Sequence, residues 1–117
     1  MIHFKTVYTK YDWCVEVFVV VNNVDVDIIQ NTLEGMDCPL HTMHRSFKLL
    51  TTGIDSGFTY TNKTLQKSLL VVNTSSSAEE YINTFAHEKN HVEMHICEAY
   101  EIDPHSEEAA HLSGELA

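Results

Sequence analysis

The sequence predicts an α+β fold, in which helices pack on one small mixed sheet. Two runs rich in β-branched residues, 13–21 and 68–73, are typical of strands. Residues 78–100 contain no Gly or Pro and predict one long helix. The predicted order is two strands, two helices, two strands and two helices, which favours an α+β domain over other layer arrangements. A chain of 117 residues accommodates one domain, residues 1–117.

Seven segments besides the long helix have the period of a regular element. The strands, which alternate in polarity or are rich in β-branched residues, are residues 4–9, 13–21, 58–62 and 68–73. The helices, which repeat apolar residues every three or four positions, are residues 24–33, 39–50 and 106–116. The apolar run 68–73 is typical of a strand that is buried on both faces.

Turn and capping residues mark several of the predicted boundaries. Lys10-Tyr11-Asp12 separates the first two strands and predicts an antiparallel hairpin. Asn23 or Asp25 is the predicted N-cap of the first helix, and Gly35 ends that helix. Pro39 lies in the first turn of the second helix. That helix has apolar residues at helical spacing, which are Leu40, Met43, Phe47 and Leu50.

Charge and composition exclude several classes of function. The formal net charge of −10 argues against binding to nucleic acid or to an anionic membrane, since both require basic patches. The sequence has no apolar run of transmembrane length and no pattern of a signal peptide at its start. The cysteines Cys14, Cys38 and Cys97 lack the spacing of a disulfide framework or a Cys-rich zinc site, and we expect a reducing, cytoplasmic compartment.

The long helix carries the motif His87-Glu88-x-x-His91, which is the zinc-site signature of metallopeptidases. Residues i and i+4 of a helix lie on the same face, so the two imidazoles can bind one Zn²⁺. Glu88 lies beside the first ligand and can act as general base toward water. The capping box Ser77-x-x-Glu80 starts the helix about two turns before the motif. The motif therefore predicts a zinc site with Glu88 as the catalytic residue.

The helical wheel places this motif at the border of the buried face. Tyr81, Phe85, Val92, Ile96 and Ala99 form one apolar arc at roughly 100° per residue. Glu88 and His95 lie at one edge of that arc, with His91 and then His87 beyond. A partly solvated surface rich in His and Glu is the alternative interpretation. His41 and His44, which have no i+4 partner, are predicted to be surface residues.

The C-terminal third resembles the zincin-like metallopeptidases of the gluzincin type, and most closely the small single-domain ones of bacteria and their phages. The residues that carry this resemblance are Phe85-Ala86-His87-Glu88-Lys89-Asn90-His91, Ile96, Ile102-Asp103, Glu107, Ala110-His111-Leu112 and Gly114. The sequence departs from the family where a Tyr commonly occupies the position of His111 and a Gly that of Ser106. Neither departure affects the implied ligands.

The resemblance implies a zinc-dependent peptidase that hydrolyses a peptide or protein substrate. It implies that His87, His91 and Glu107 bind the zinc ion, with Glu108 as the competitor for the third position. His95 diverges from His87 by about 80° on the helix, which favours a hydrogen-bonding role over metal binding. The reversal of the chain that brings Glu107 back to the motif is expected at Ile102-Asp103-Pro104, with Pro104 ending the long helix.

The resemblance also implies a strand at the edge of the sheet, beside the zinc helix, that accepts an extended peptide. Residues 58–62 are the candidate, and simple sheet structure is the alternative. A second group that stabilises the oxyanion would assist the reaction, and His111 or Tyr60 could serve. The rival function is a non-catalytic, metal-binding interaction module that retains the same scaffold.

Overall fold

The computed structural model describes residues 2–19, 25–103 and 105–116, without the side chains of Asp25, His111 and residues 113–116. It confirms the α+β fold class. The strands are β1 (Ile2–Tyr8), β2 (Trp13–Val19), β3 (Gly57–Asn62) and β4 (Lys67–Val72). The helices are α1 (Asp25–Gly35), α2 (Leu40–Thr52), α3 (Ala78–Tyr100) and α4 (Glu107–Leu116), and a short 3₁₀ turn, Thr9–Tyr11, joins β1 to β2. The predicted end of the second strand and the predicted N-cap Asn23 lie outside the described residues.

The four strands form one mixed sheet in the order β1-β2-β4-β3. The hairpin partners β1 and β2 are antiparallel, β2 and β4 are parallel, and β3 is antiparallel to β4. Strand β4 therefore has neighbours on both sides, and residues 69–72 are fully buried, as the apolar run predicts. Strand β3 lies at one edge of the sheet and packs against α3.

The helices cover both faces of the sheet and form two cores. Val17, Leu70 and Val72 face α3 and α4, where they pack with Val92 and Ile96. The other core contains residues of α1 and α2 together with alternate residues of the strands, which are Phe18, Phe58, Leu69 and Val71. Among the described residues, no helix is both long and apolar enough to cross a membrane.

Helix α3, which carries the motif, has well-defined ends. The side chain of Ser77 accepts a hydrogen bond from the backbone N–H of Glu80 at 3.1 Å, so the predicted N-cap is confirmed. The helix ends at Tyr100 because Glu101 adopts a left-handed conformation with φ 55°. The N–H of Ile102 then donates to the carbonyl of Cys97 at 2.8 Å, which closes the last turn. The helix thus ends before Pro104, which lies outside the described residues.

Helix α2 buries only part of the apolar face that the sequence predicts. Leu40 is 68% and Phe47 51% exposed, whereas Thr42, Ser46 and Leu50 are buried. Ser46 contacts α1, where the side chain of Gln30 donates a hydrogen bond to Ser46 Oγ at 2.9 Å. The polar contact between Gln30 and Ser46 therefore occupies the interface of α2 with α1, and Leu40 and Phe47 stay exposed. His41 and His44 are exposed, as predicted.

Candidate metal centre

His87 and His91 face each other on the outer surface of α3. Their Nε2 atoms lie 3.0 Å apart, and their rings are almost perpendicular, at 85°. His87 is exposed and His91 is half-buried. The i,i+4 spacing predicted from the sequence therefore brings together the two nitrogens that would bind a metal.

The distance between these two nitrogens fits a shared zinc ion. Zinc–nitrogen bonds of about 2.05 Å and a nitrogen separation of 3.0 Å give an angle of about 94° at the metal. The tetrahedral angle is about 109°, so a small rotation of either ring would complete the geometry. Without a metal, the same separation suits a hydrogen bond from one neutral ring to the other. Two of the ligands implied by the motif are therefore compatible with zinc.

The carboxyl group of Glu88 is buried between α3 and the edge strand β3. Glu88 is 6% exposed, and its Oε1 accepts a hydrogen bond of 2.7 Å from the hydroxyl of Thr59. This contact is possible because β3 begins with Gly57, which lies directly against Glu88. A Cβ at Gly57 would lie 2.6 Å from Glu88 Cγ and 2.8 Å from Glu88 Oε2. No motif in the sequence indicated a role for Gly57 or Thr59, although Gly at the start of a strand can indicate close approach of another element.

Gly57→Ala is expected to destabilise the protein by about 1–3 kcal/mol, because overpacking at this contact forces α3 and β3 apart. The free energy of unfolding from denaturant titration measures the effect. Gly35→Ala is the matched control, since no neighbouring atom of the described residues lies within 4 Å of a Cβ added at Gly35. That change is expected to be neutral or to stabilise by up to about 1 kcal/mol. Equal stabilities for the two variants would contradict the close approach of β3 to Glu88.

A cleft of about 380 Å³ opens beside α3 and the start of β3. His87 and Glu88 line it together with Asp55 and Glu80. Hydrogen bonds from the backbone N–H and the hydroxyl of Ser76 lower the pKa of Asp55. The cleft is therefore polar and acidic, and it connects solvent with the two motif residues.

His95 lies one turn beyond His91 on the same side of α3. Its Nδ1 is 2.7 Å from the hydroxyl oxygen of Thr61, and its ring centre is 6.5 Å from that of His91. Burial lowers the pKa of His95, against an opposing effect of the nearby carboxylate of Glu98. His95 is therefore anchored to β3 through a hydrogen bond, in line with the hydrogen-bonding role expected from the helical wheel.

Among the described side chains, no third ligand is grouped with the His pair. Within residues 2–19, 25–103 and 105–116, no three His, Cys, Asp or Glu side chains are grouped so that they could hold a metal ion. Helix α4 packs on the flank of α3 that contains Asn90, Glu93 and Cys97, whereas Glu88 and His95 contact β3 on another flank. Glu107 is exposed in the first turn of α4. Its role as the third ligand stays a prediction.

Glu108, the competitor of Glu107, is engaged elsewhere. Its carboxylate accepts hydrogen bonds from Lys10 Nζ at 2.8 Å and from the hydroxyl of Tyr11. These bonds lower the pKa of Glu108, with the bond from Lys10 as the largest cause. They attach α4 to the β1–β2 hairpin. Of the two neighbouring carboxylates, Glu107 is therefore the one that has no hydrogen bond or ion pair within the described part of the chain.

Tyr60 and His111 are the two residues that the sequence suggested for stabilising the oxyanion. Tyr60 lies on the face of the sheet that packs against α1 and α2, and its hydroxyl is directed toward the carbonyl of Asp37 at 3.4 Å. The expectation that Tyr60 could assist the reaction is therefore wrong, because alternation along β3 turns Thr59 and Thr61 toward α3 and Tyr60 away from it. The side chain of His111 lies outside the described residues.

Lys89 forms an ion pair with Glu93, and both side chains are mostly shielded from solvent. Its Nζ lies 3.4 Å from Glu93 Oε2, which also accepts a hydrogen bond of 3.0 Å from the hydroxyl of Tyr8. The i,i+4 spacing of Lys89 and Glu93 on one helix is the sequence pattern that could have predicted this ion pair. The pair connects α3 to β1 and is structural, since it lies on the flank of α3 that faces away from β3.

Comparisons with family models, with characterised proteins and with solved structures find no match to this chain. A functional assignment therefore depends on the motif and the geometry described above.

Proposed function

We propose that this protein is a zinc-dependent metallopeptidase, in which His87, His91 and Glu107 bind the metal and Glu88 is the general base. The observation that carries the proposal is the His87–His91 pair, whose Nε2 atoms lie 3.0 Å apart beside the buried carboxyl group of Glu88. A metal-binding pair and a carboxylate at this spacing are what hydrolysis by an activated water requires.

The residues of the chain have separate tasks in this proposal. A zinc ion bound by two imidazoles and a carboxylate would polarise the scissile carbonyl and acidify the attacking water. Glu88 takes the proton of that water and passes it to the leaving amine. The hydrogen bond from Thr59 to Glu88 Oε1 fixes the carboxyl group and leaves Oε2 available for the proton.

The proposed substrate is an extended peptide or protein segment. Within the described part of the chain, strand β3 pairs with β4 alone, so its outer edge offers backbone groups to which a peptide could bind as a further strand. The acidic cleft beside His87 and Glu88 and the net charge of −10 make a nucleic-acid or anionic-membrane partner unfavourable. Three free cysteines support our expectation of a reducing, cytoplasmic compartment.

A non-catalytic, metal-binding interaction module is the second candidate. It is favoured by the arrangement of the described residues, in which only two ligating side chains converge. Metal content measured together with release of new amino groups from an unstructured peptide mixture distinguishes the two candidates. Zinc with cleavage supports the peptidase, zinc without cleavage supports the module, and no zinc contradicts both.

Glu107→Gln is expected to weaken zinc affinity by about 10-fold or more, because a neutral amide replaces an anionic ligand. Glu108→Gln is the matched control, and it is expected to leave zinc affinity unchanged because Glu108 binds Lys10 and Tyr11. Competition with a chromogenic chelator measures both affinities. The reverse order would assign the third position to Glu108, and no effect of either change would contradict a ligand from α4.

A further inference from the structure

A row of hydrogen-bonding side chains connects the buried interior of the sheet to α3. Trp13 Nε1 donates to Ser68 Oγ at 3.0 Å. Ser68 Oγ lies 2.7 Å from Thr61 Oγ1, which lies 2.7 Å from His95 Nδ1. Trp13 and Ser68 are fully buried. The row thus ends at an imidazole that lies one helical turn from the proposed ligand His91.

The indole N–H of Trp13, at one end of the row, determines which atom donates and which accepts in each of these hydrogen bonds. An indole N–H can only donate, so Ser68 accepts this bond and must use its own hydroxyl hydrogen elsewhere. Among the described residues, the only acceptor at Ser68 is Thr61 Oγ1. Thr61 then accepts from Ser68 and has its own hydrogen available for His95 Nδ1. In the opposite arrangement, with a hydrogen on Nδ1, the hydroxyl hydrogen of Thr61 would have no acceptor within the described residues.

The length of the last bond supports the same direction. Hydrogen bonds to oxygen are typically 2.7–2.8 Å long when a hydroxyl donates and about 2.9–3.0 Å long when an N–H donates. The observed 2.7 Å matches a hydroxyl donor at Thr61. The direction of the bonds and the length of the last one both favour a lone pair on Nδ1 of His95.

We propose that His95 is a neutral imidazole with its hydrogen fixed on Nε2, and that this N–H binds an acceptor oxygen of the substrate instead of binding the metal. No described residue is hydrogen-bonded to Nε2, and no fully buried polar side-chain atom of the described residues lacks a partner, so solvent reaches Nε2. A metal-binding histidine has the opposite arrangement, because its other nitrogen usually donates a hydrogen to a neighbour. Burial also lowers the pKa of His95, which is consistent with a neutral ring.

The tautomer of His95 is independent of the proposed function. The role of its N–H toward substrate rests on the proposed function. The pattern is tested by long-range proton–nitrogen NMR correlations of the metal-free protein labelled with ¹⁵N-histidine. His95→Gln identifies the signals of His95. We expect one fixed tautomer, protonated on Nε2 and unprotonated on Nδ1. A hydrogen on Nδ1, or averaging between the two tautomers, would overturn the proposal.

Variants of the two threonines that face α3 test the cause of the pattern. Thr61→Val removes the donor to Nδ1, and the His95 signals are expected to become those of two exchanging tautomers. Thr59→Val removes a hydroxyl of the same strand that binds Glu88 instead, so the His95 signals should not change. If Thr61→Val also leaves them unchanged, Thr61 does not fix the tautomer.

The role at the site is tested with the zinc-loaded protein. His95→Gln is expected to change zinc affinity by less than about 3-fold, whereas loss of a ligand should exceed about 10-fold. Acetohydroxamate, whose oxygens accept hydrogen bonds, is expected to bind His95→Phe about 3- to 10-fold more weakly than the unsubstituted protein. A 10-fold loss of zinc affinity in His95→Gln, or full hydroxamate affinity in His95→Phe, would overturn the donor role. If the unsubstituted protein binds no zinc, the proposed function fails and the assignment of an N–H donor for substrate fails with it, while the tautomer is still decided by NMR.

Discussion

Glu88→Gln is expected to lower kcat for peptide hydrolysis by about 10²- to 10⁴-fold, the range that general acid–base catalysis contributes. Gln has the shape of Glu and its amide oxygen can still accept the hydrogen bond from Thr59. It cannot take a proton from water. Zinc content and the free energy of unfolding should therefore stay close to those of the unsubstituted protein. Hydrolysis is measured by the release of amino groups from a peptide mixture.

Glu98→Gln is the control for this prediction. Glu98 lies on the same helix, is exposed, and forms a surface ion pair with Lys63 at 3.0 Å. Because exposed pairs contribute little to stability, this change should affect neither hydrolysis nor folding. Retention of hydrolysis in Glu88→Gln would show that another group is the base. Loss of zinc together with hydrolysis would indicate that Glu88 supports the metal site and has no separate role in proton transfer.

The double variant His87→Ala, His91→Ala is expected to lose zinc binding by more than about 100-fold. Changes to residues that only orient ligands cost 10- to 100-fold in affinity, so removal of two ligands should cost more. Zinc per chain is measured by elemental analysis after gel filtration. The unsubstituted protein should retain close to one zinc ion per chain. Its thermal midpoint should also rise on addition of zinc, because a ligand that binds only the folded state stabilises it.

His41→Ala, His44→Ala is the matched control, since it removes two exposed histidines from α2 without altering α3. Zinc content and the zinc-dependent rise in thermal midpoint should be retained in this variant. The assignment of the metal ligands is wrong if both double variants keep the same zinc content. The four other histidines, which are His3, His95, His105 and His111, or the acidic residues of the chain would then account for the bound metal.

Several features of the fold and the site could be predicted because they depend on residues that are close in sequence. The 3.6-residue period and the N-cap Ser77 define the start of α3 and place His87 and His91 on one face. The continuous apolar run of β4 predicts a strand that is buried on both faces. The segment Lys10-Tyr11-Asp12 predicts the turn that joins β1 to β2. The order of elements was sufficient to predict an α+β fold.

Only the tertiary structure decided which elements meet at the site. Neighbouring carboxylates on α4 point in different directions, and the distant Lys10 and Tyr11 determine that Glu108 faces the hairpin. Tyr60 could not be assigned to a face from alternation alone, because alternation groups residues without saying which group faces α3. The partners of Glu88 and His95 are Thr59 and Thr61, about thirty positions earlier.

By itself, the sequence determined the fold class, the extent of the zinc-motif helix and the pairing of His87 with His91, because each follows from periodicity within one element. The tertiary structure alone decided that Glu88 is buried against Gly57, that His95 is bonded to Thr61, and that Glu108 is bonded to Lys10 and Tyr11. These contacts depend on how far each helix is rotated about its axis against the sheet. That rotation is set by the packing of side chains from distant segments, which no local pattern contains.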